Sequence, residues 1–333
     1  MESKAPQRAL TPEVDTACAA CGELAAAEVT GAPELARQAE AGHRFHRARL
    51  RRRSRAALEE RASFTHDYPT SLLRCSTCGL RYRSPRPRAE SLLRAYREET
   101  CSAERLPQTV ASQRALFRPK ARRLARALGA GAHVLEVGSF VGGLLHEATA
   151  AGLDAVGLDP SEQLSELCTQ AGLRVTRSTV EDLAESGEFA PFDTVAIWNT
   201  FDQLARPLGT LAAALRVLRP GGTVLLRFPQ GECFLRLTAR LPTSLHALAW
   251  NNLLGFPYLH GHGLESLGRL TRRLGLTRIG VRGDTLGAVA DRSYARWARL
   301  EERVVKAAQR ALWARDLGHA PWLDVTLQDE RVS

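Results

Sequence analysis

The sequence predicts an α/β protein: a parallel sheet covered by helices on both faces, preceded by a small ribbon-like domain held by cysteines. Three observations carry this. From Val134 onward, short apolar runs alternate with stretches of helical period, the pattern of strands joined by crossover helices. The first run, Val134-Leu135-Glu136-Val137, enters a glycine-rich turn, Gly138-Ser139-Phe140-Val141-Gly142-Gly143, and a helix start follows at Leu144. Upstream, Cys18-Ala19-Ala20-Cys21-Gly22 and Cys75-Ser76-Thr77-Cys78-Gly79 form two C-x-x-C-G knuckles.

The 333 residues allow two or three domains, and 44% hydrophobic with 25% charged residues is ordinary for a globular chain. No apolar run reaches the ~18 residues of a membrane span. The start Met1-Glu2-Ser3-Lys4 has no charged segment leading into an apolar core, so the expected location is cytoplasmic. The net charge of +10 is unevenly placed: residues 1–125 hold 24 basic and 14 acidic side chains, and the remainder balances. Nearly all the basic residues are arginine, which fits a GC-rich genome as well as a phosphate- or nucleic-acid-binding role.

Two residues between thiols let both sulfurs of a knuckle reach one tetrahedral ion. Cys18, Cys21, Cys75 and Cys78 are therefore the expected ligands of a structural zinc. A redox dithiol needs only one such motif. Cys101, Cys168 and Cys233 stand alone and read as small apolar residues. The Arg-rich insert at 43–61 puts Phe45, Arg49 and Arg52 on one helical face and reads as a solvated helix or a basic arm. Leu80 and Tyr82 alternate as in a short strand, stopped by Pro85 and Pro87. Helices are predicted at 89–99 and 112–128, the second interrupted by Pro119.

In the central part, strands are predicted at 134–137, 155–158, 173–176, 194–198 and 223–228. Helices are predicted at 144–151, 162–171 and 207–218, the last stopped by Arg219-Pro220-Gly221-Gly222. Asp159 stands at the tip of the second strand, where nucleoside-binding α/β folds hold ribose hydroxyls. Further on, the sequence predicts helices at 233–254 (broken by Pro242), 264–274 and 292–314, with strands at 277–282 and 322–327. The last of these reads as antiparallel.

The ordered set Leu135-Glu136-Val137-Gly138, Leu158-Asp159, Val180-Glu181-Asp182, Phe192-Asp193 and Leu218-Arg219-Pro220-Gly221-Gly222 resembles class I S-adenosylmethionine-dependent methyltransferases. The knuckles, followed by Cys-Gly-Leu-Arg-Tyr and Ser-Pro-Arg-Pro, resemble the zinc-binding front end of a subset often linked to methylation of sugars and other small molecules. The resemblance covers roughly residues 15–25 and 70–285. It implies a Rossmann-like seven-stranded methyltransferase sheet that binds S-adenosylmethionine. By position, Glu136 would fix the turn near the methionine amino group. Gly138, Ser139 and Gly142 would let backbone pass the cofactor, and Asp159 would accept both ribose hydroxyls. Glu181 and Asp182 would lie near the adenine, and Asn199 near the sulfonium or the acceptor. Phe140 is the departure, since the family usually has a second glycine there; a flat ring at that point would cover the cofactor. The rival, a nicotinamide enzyme, needs a G-x-G-x-x-G register that Gly138 and Gly142 do not supply.

The expected division is a zinc-ribbon-like domain at 1–100, a cofactor-binding core at 110–230, and a substrate-pocket part at 231–333 that completes the sheet. Methyl transfer to a hydroxyl or carbon also needs a proton removed. His260 and His262 are the candidate bases, with Tyr258 and Asp202 behind them. The place after the fourth strand holds Trp198-Asn199-Thr200-Phe201-Asp202-Gln203, without the Asn/Asp-Pro-Pro-Tyr/Phe motif of base-amino methyltransferases. A small-molecule acceptor is therefore expected. The basic insert leaves two alternatives open: an RNA substrate, or a non-catalytic zinc and nucleic-acid binding module on this scaffold.

Overall fold

The structure, a computed structural model, describes residues 12–13, 17–50, 69–238, 259–284 and 295–330. Tyr258, the insert beyond residue 50 and the expected helix beyond residue 238 lie outside them. The first elements are β1 (Pro12–Glu13), β2 (Ala26–Thr30), α1 (Ala32–Arg49), β3 (Ser71–Cys75), β4 (Arg81–Ser84) and β5 (Arg86–Pro87). β2, β3 and β4 pair antiparallel, and β1 pairs with β5. Of the segment expected to be a solvated helix or basic arm, the described part is the end of α1, and it is anchored. Arg49 forms an ion pair with Glu301 at 2.6 Å, and its guanidinium lies 3.3 Å from the Phe45 ring centroid.

α2 (Ala89–Arg97) and α3 (Leu106–Leu128) lead into the core. α3 starts six residues before the expected Ser112, with Pro107 in its first turn, where a missing N–H is harmless. Pro119 lies inside α3 without ending it. Tertiary contacts outweigh the lost hydrogen bond: Phe117, Ala121 and Leu124 are buried, and Arg114 and Arg118 both hold Glu147 on the next helix.

The core continues as β6 (His133–Val137), α4 (Gly143–Ala150), β7 (Asp154–Leu158), α5 (Glu162–Gln170), β8 (Val175–Thr176), α6 (Val180–Ser186), β9 (Phe192–Trp198), α7 (Pro207–Val217) and β10 (Leu218–Pro229). α8 (Gly231–Thr238), β11 (His260–Gly261), α9 (Leu264–Arg272), β12 (Leu276–Asp284), α10 (Arg296–Trp313) and β13 (Trp322–Asp329) complete it. Seven strands form one sheet in the order β12-β13-β10-β9-β6-β7-β8, and β13 is antiparallel to both its neighbours. The chain runs outward from β6 to β8, then returns to place β9 on β6's other side. Such a reversal opens a crevice at the carboxyl ends of the central strands.

At the opposite, amino edge, Asp193 explains the Phe-Asp pair. Its carboxylate accepts the His133 N–H at 2.6 Å and the Arg219 guanidinium at 2.8 Å, pinning β6, β9 and the Arg-Pro-Gly-Gly turn together. That turn interrupts β10's register between Leu218 and Thr223. β11 joins β4 through His260↔Tyr82, so the cysteine-bearing sheet is finished by a strand from the chain's last third. One core runs from Cys75, Leu80 and Tyr82 through Leu135, Ile197, Phe201 and Phe228 to Leu327. A second, with Phe117, Leu144 and Trp198, lies under α3 and α4.

Candidate active site and metal centre

The glycine turn is stapled to the tip of β7. The N–H groups of Gly138 and Ser139 and the Ser139 hydroxyl all donate to the Leu158 carbonyl, at 2.8, 3.0 and 3.3 Å. Ser139 thus points inward, and only its backbone serves the turn. Gly138 (φ 76°) and Gly142 (φ 70°) are left-handed. A Cβ at Gly138 would lie 2.5 Å from Thr200 Oγ1, so glycine also lets the turn close on the tip of β9. Phe140 has φ 50°, the conformation for which a glycine would be usual there. Its backbone, rather than its half-buried ring, makes the recorded contacts: the N–H donates to Asp159 at 2.7 Å, and the carbonyl accepts the Cys168 thiol at 3.4 Å.

Asp159 takes the Phe140 N–H on one oxygen and the Ser161 N–H on the other, at 2.7 and 2.9 Å. It is not the helix cap; Ser161 caps α5 by accepting from Leu164. A carboxylate offers about four acceptor positions, so two remain for vicinal hydroxyls. Burial pushes the Asp159 carboxyl up to about 6, against the pull of those two N–H groups. Glu136, on the neighbouring strand, is held well above the usual carboxylate range by burial and by Asp159. Its Oε2 is buried without a partner. An orphaned buried carboxylate oxygen beside a second acid suits a cationic ligand, and S-adenosylmethionine carries an ammonium and a sulfonium.

Asn199 follows β9 in a left-handed conformation, φ 61°. Its N–H donates to the Arg227 carbonyl at 3.0 Å, and its own carbonyl accepts from the Gln203 side chain, which also takes the Tyr96 hydroxyl at 3.2 Å. Glu181 and Asp182 are otherwise engaged. Asp182 closes a capping box with Thr179 at the start of α6, and Glu181 accepts the Thr210 hydroxyl at 2.5 Å. Both hold local structure, and neither is recorded in contact with the turn.

His260, His262 and Asp202 come together, but inside the protein. The His260 and His262 ring centroids are 5.9 Å apart, and His262 packs on Phe201 at 4.6 Å and Phe228 at 5.7 Å. His260 Nε2 meets the Leu204 carbonyl at 2.6 Å. Burial lowers His260 to about 4 and His262 well below its ordinary value, so both are neutral. Asp202 is raised to about 8 by burial, and its carboxyl is protonated at neutral pH. Five buried polar atoms of these three residues lack partners. A base must reach its acceptor's proton. The expectation that His260 or His262 serves as the base, with Asp202 behind them, is thus corrected: all three are buried, and Phe201 and Phe228 pack against the His262 ring.

The four knuckle cysteines form a compact cluster. Cys18 and Cys78 sulfurs are 3.5 Å apart, as are Cys21 and Cys75, and all four lie within 4.8 Å. Four sulfurs around zinc at about 2.3 Å stand roughly 3.8 Å apart, so the donor set fits with little adjustment. Four thiols at this spacing cannot all ionise without a cation between them. Cys101, Cys168 and Cys233 are also free, and the last two are buried.

Arg227, Gln203 and Tyr96 also surround Asn199, and no motif marks them for that role. Arg227 alone carried a signal: an arginine in the apolar strand run Val224-Leu225-Leu226-Arg227-Phe228 is a charge where none is expected without partners.

Residues 110–279 match the model of a family described as a methyltransferase domain. A ubiquinone biosynthesis O-methyltransferase of Methylococcus capsulatus is 39% identical over 102 residues, which cover 28% of this chain and 42% of that protein. The chain thus matches less than half the length of that relative. Among solved structures, a SAM-dependent methyltransferase from Archaeoglobus fulgidus is 15% identical at a TM-score of 0.45, covering 65% of this chain and 94% of its own. The cyclopropane synthase MmaA2 from Mycobacterium tuberculosis is 17% identical at 0.44, covering 63% and 82%.

Proposed function

The chain belongs to the methyltransferase-domain family and is an S-adenosylmethionine-dependent enzyme, and from that premise we propose that it methylates an oxygen atom of a small molecule. The observation that carries the cofactor placement is the row of groups at the carboxyl tips of three adjacent strands. These are Asp159 on β7, Glu136 and the glycine turn on β6, and Asn199 on β9. In this reading Asp159 accepts the ribose hydroxyls, and Glu136 faces the methionine ammonium. Gly138 and Gly142 let the backbone come close. The half-buried Phe140 ring covers the cofactor, and its N–H holds Asp159 in place. Glu181 and Asp182 support the adenine side through α6. The core at 110–230 carries these groups, and the parts at 1–100 and 231–333 frame the acceptor side.

Bound S-adenosylmethionine supplies an electrophilic methyl on sulfur. The chain's contribution is alignment, because in-line displacement needs nucleophile, methyl and sulfur held on one axis. Glu136 and Asp159 set one end of that axis, and the turn at 199–203 faces the other. We assign His260 and His262 to the floor beneath that turn and Asp202 to its inward side; none of them takes the proton, which an acidic acceptor hydroxyl gives up to water as its oxygen is methylated. The oxygen acceptor is supported by the name of the Methylococcus relative and by a post-β9 turn unlike that of base-amino enzymes. The four cysteines hold one structural zinc.

Two measurements test this. Calorimetry should show S-adenosylhomocysteine binding and no NADH binding. Incubation with methyl-labelled cofactor should transfer label to a small phenolic or sugar acceptor and leave total RNA unlabelled. Label in RNA alone would overturn the acceptor class.

A further inference from the structure

At the same edge of the sheet lies a buried charged network that the reaction as described does not use. Trp198, Arg227 and Asp324 stand in one register row across β9, β10 and β13. Arg227 is fully buried. Its Nε lies 3.2 Å from Asp284 and 3.4 Å from Asp324, and its guanidinium carbon 4.4 Å from the Trp322 ring. Lys120, one of only three lysines in the chain, reaches in from α3 to the same two acids, at 2.8 Å from Asp284 and in close contact with Asp324. Two cations and two anions thus compensate each other in the interior. A further bond joins the network to the tip of β9: Arg227 Nη1 donates to Asn199 Oδ1.

That bond settles the orientation of the Asn199 amide. A guanidinium has donors and no acceptor, so the amide oxygen must face it and the NH2 must face away. Among the described residues, Asn199 Nδ2 has no partner, and the adjoining Thr200 closes on the glycine turn, which puts residue 199 at the tip of β9 next to that turn. The backbone is fixed as firmly. A non-glycine residue at φ 61° is held by the Asn199 N–H to Arg227 bond and the Gln203 side-chain bond to its carbonyl. Strain of this kind persists where the surroundings over-determine it, and it gathers at functional positions.

Strand order tells which part of the ligand meets this NH2. With ribose on Asp159 at the tip of β7, and β6 in between, the tip of β9 receives the methionine end. The sulfonium and the ammonium are cations and repel a donor. The methionine carboxylate accepts one, and the guanidinium behind the amide polarises the donor further. We propose that Asn199 binds the carboxylate of S-adenosylmethionine through Nδ2, and that Arg227 is the positioning residue that holds the amide in that orientation. The assignment rests on the cofactor reading above.

Calorimetry with two ligands tests it: S-adenosylhomocysteine, which has the carboxylate, and methylthioadenosine, which lacks the amino-acid end. Asn199→Asp keeps an oxygen for Arg227 and replaces the donor with a second oxygen, so the fold is retained, as thermal melting checks. It should weaken S-adenosylhomocysteine by about tenfold or more and leave methylthioadenosine within about twofold. Arg227→Met should cause a similar selective loss in wild-type protein and little further loss in Asn199→Ala protein. Equal losses for both ligands, no loss with Asn199→Asp, or an undiminished Arg227→Met effect in the Asn199→Ala background would overturn the proposal. Wild-type protein that binds neither ligand would overturn the cofactor reading itself, a different result from tight binding with insensitive variants.

Discussion

Asp159 titrates where its ligand can sense it. Its carboxyl is raised to about 6 by burial, and ribose hydroxyls need the ionised form as acceptor. Affinity for S-adenosylhomocysteine should therefore fall by up to about tenfold per pH unit below 6 and level off above it. Asp159→Asn should bind weakly and show a shallower fall below pH 6, and a wild-type profile that is flat from pH 5 to 8 would remove the ribose assignment. Asp202 makes the opposite kind of statement, about stability. The folded protein keeps this carboxyl protonated up to about pH 8, whereas the unfolded chain releases the proton near 4. Between those limits the folded state holds the extra proton, so stability falls as pH rises, by up to about 1.4 kcal/mol per unit. Asp202→Asn should make that slope shallower in urea titrations at pH 5 and 7.5, leaving the part due to Glu136 and Asp159; an unchanged slope would show that the carboxyl is ionised or hydrated.

Among elements, the glycine turn and the cysteine knuckles make separable claims. Gly138→Ala puts a methyl 2.5 Å from the Thr200 hydroxyl in a left-handed residue. It should destabilise the protein by roughly 1–3 kcal/mol and weaken S-adenosylhomocysteine more than tenfold; near-normal binding would mean that the turn does not touch the ligand. The knuckles belong to the β2–β3–β4 sheet, and the tips of β6, β7 and β9 to the seven-stranded one. Cys78→Ser should drop zinc in elemental analysis from about one per chain to near zero. Its melting point should fall by roughly 5–10 °C, with S-adenosylhomocysteine affinity kept within about threefold. Wild-type protein without zinc would sink the metal assignment.

These elements also show what the sequence could disclose. The strands of the core were legible because each is a short apolar run bounded by a turn signal, and the knuckles because their spacing fits only a few chemistries. α6 was legible only as two acids, since the Thr179–Asp182 cap is a local hydrogen-bond pattern rather than an apolar period. The burial of His260 and His262 was hidden, because it depends on β11 pairing with β4 across some 180 residues of chain. Arg227 showed only as a charge in an apolar strand; its partners were hidden for the same reason, since they come from the end of β9, from β12 and from β13, and no local pattern brings them together.

Taken whole, the molecule joins its ends through its middle. β11 fastens the last third to the cysteine sheet, Arg49 fastens α1 to Glu301 on α10, and the buried network ties α3 to the far strands. The network's Arg227 stands near the carboxyl end of β10, beside Trp198 on β9. The account stands on one geometric claim, that S-adenosylmethionine lies across the tips of β7, β6 and β9 with its ribose on Asp159 and its carboxylate on Asn199. Diffraction from crystals grown with S-adenosylhomocysteine tests it most directly. Both ribose hydroxyls should lie within hydrogen-bond distance of Asp159, and a carboxylate oxygen within that distance of Asn199 Nδ2. A ligand bound elsewhere, or a Phe140 ring occupying the crevice in its place, would contradict it.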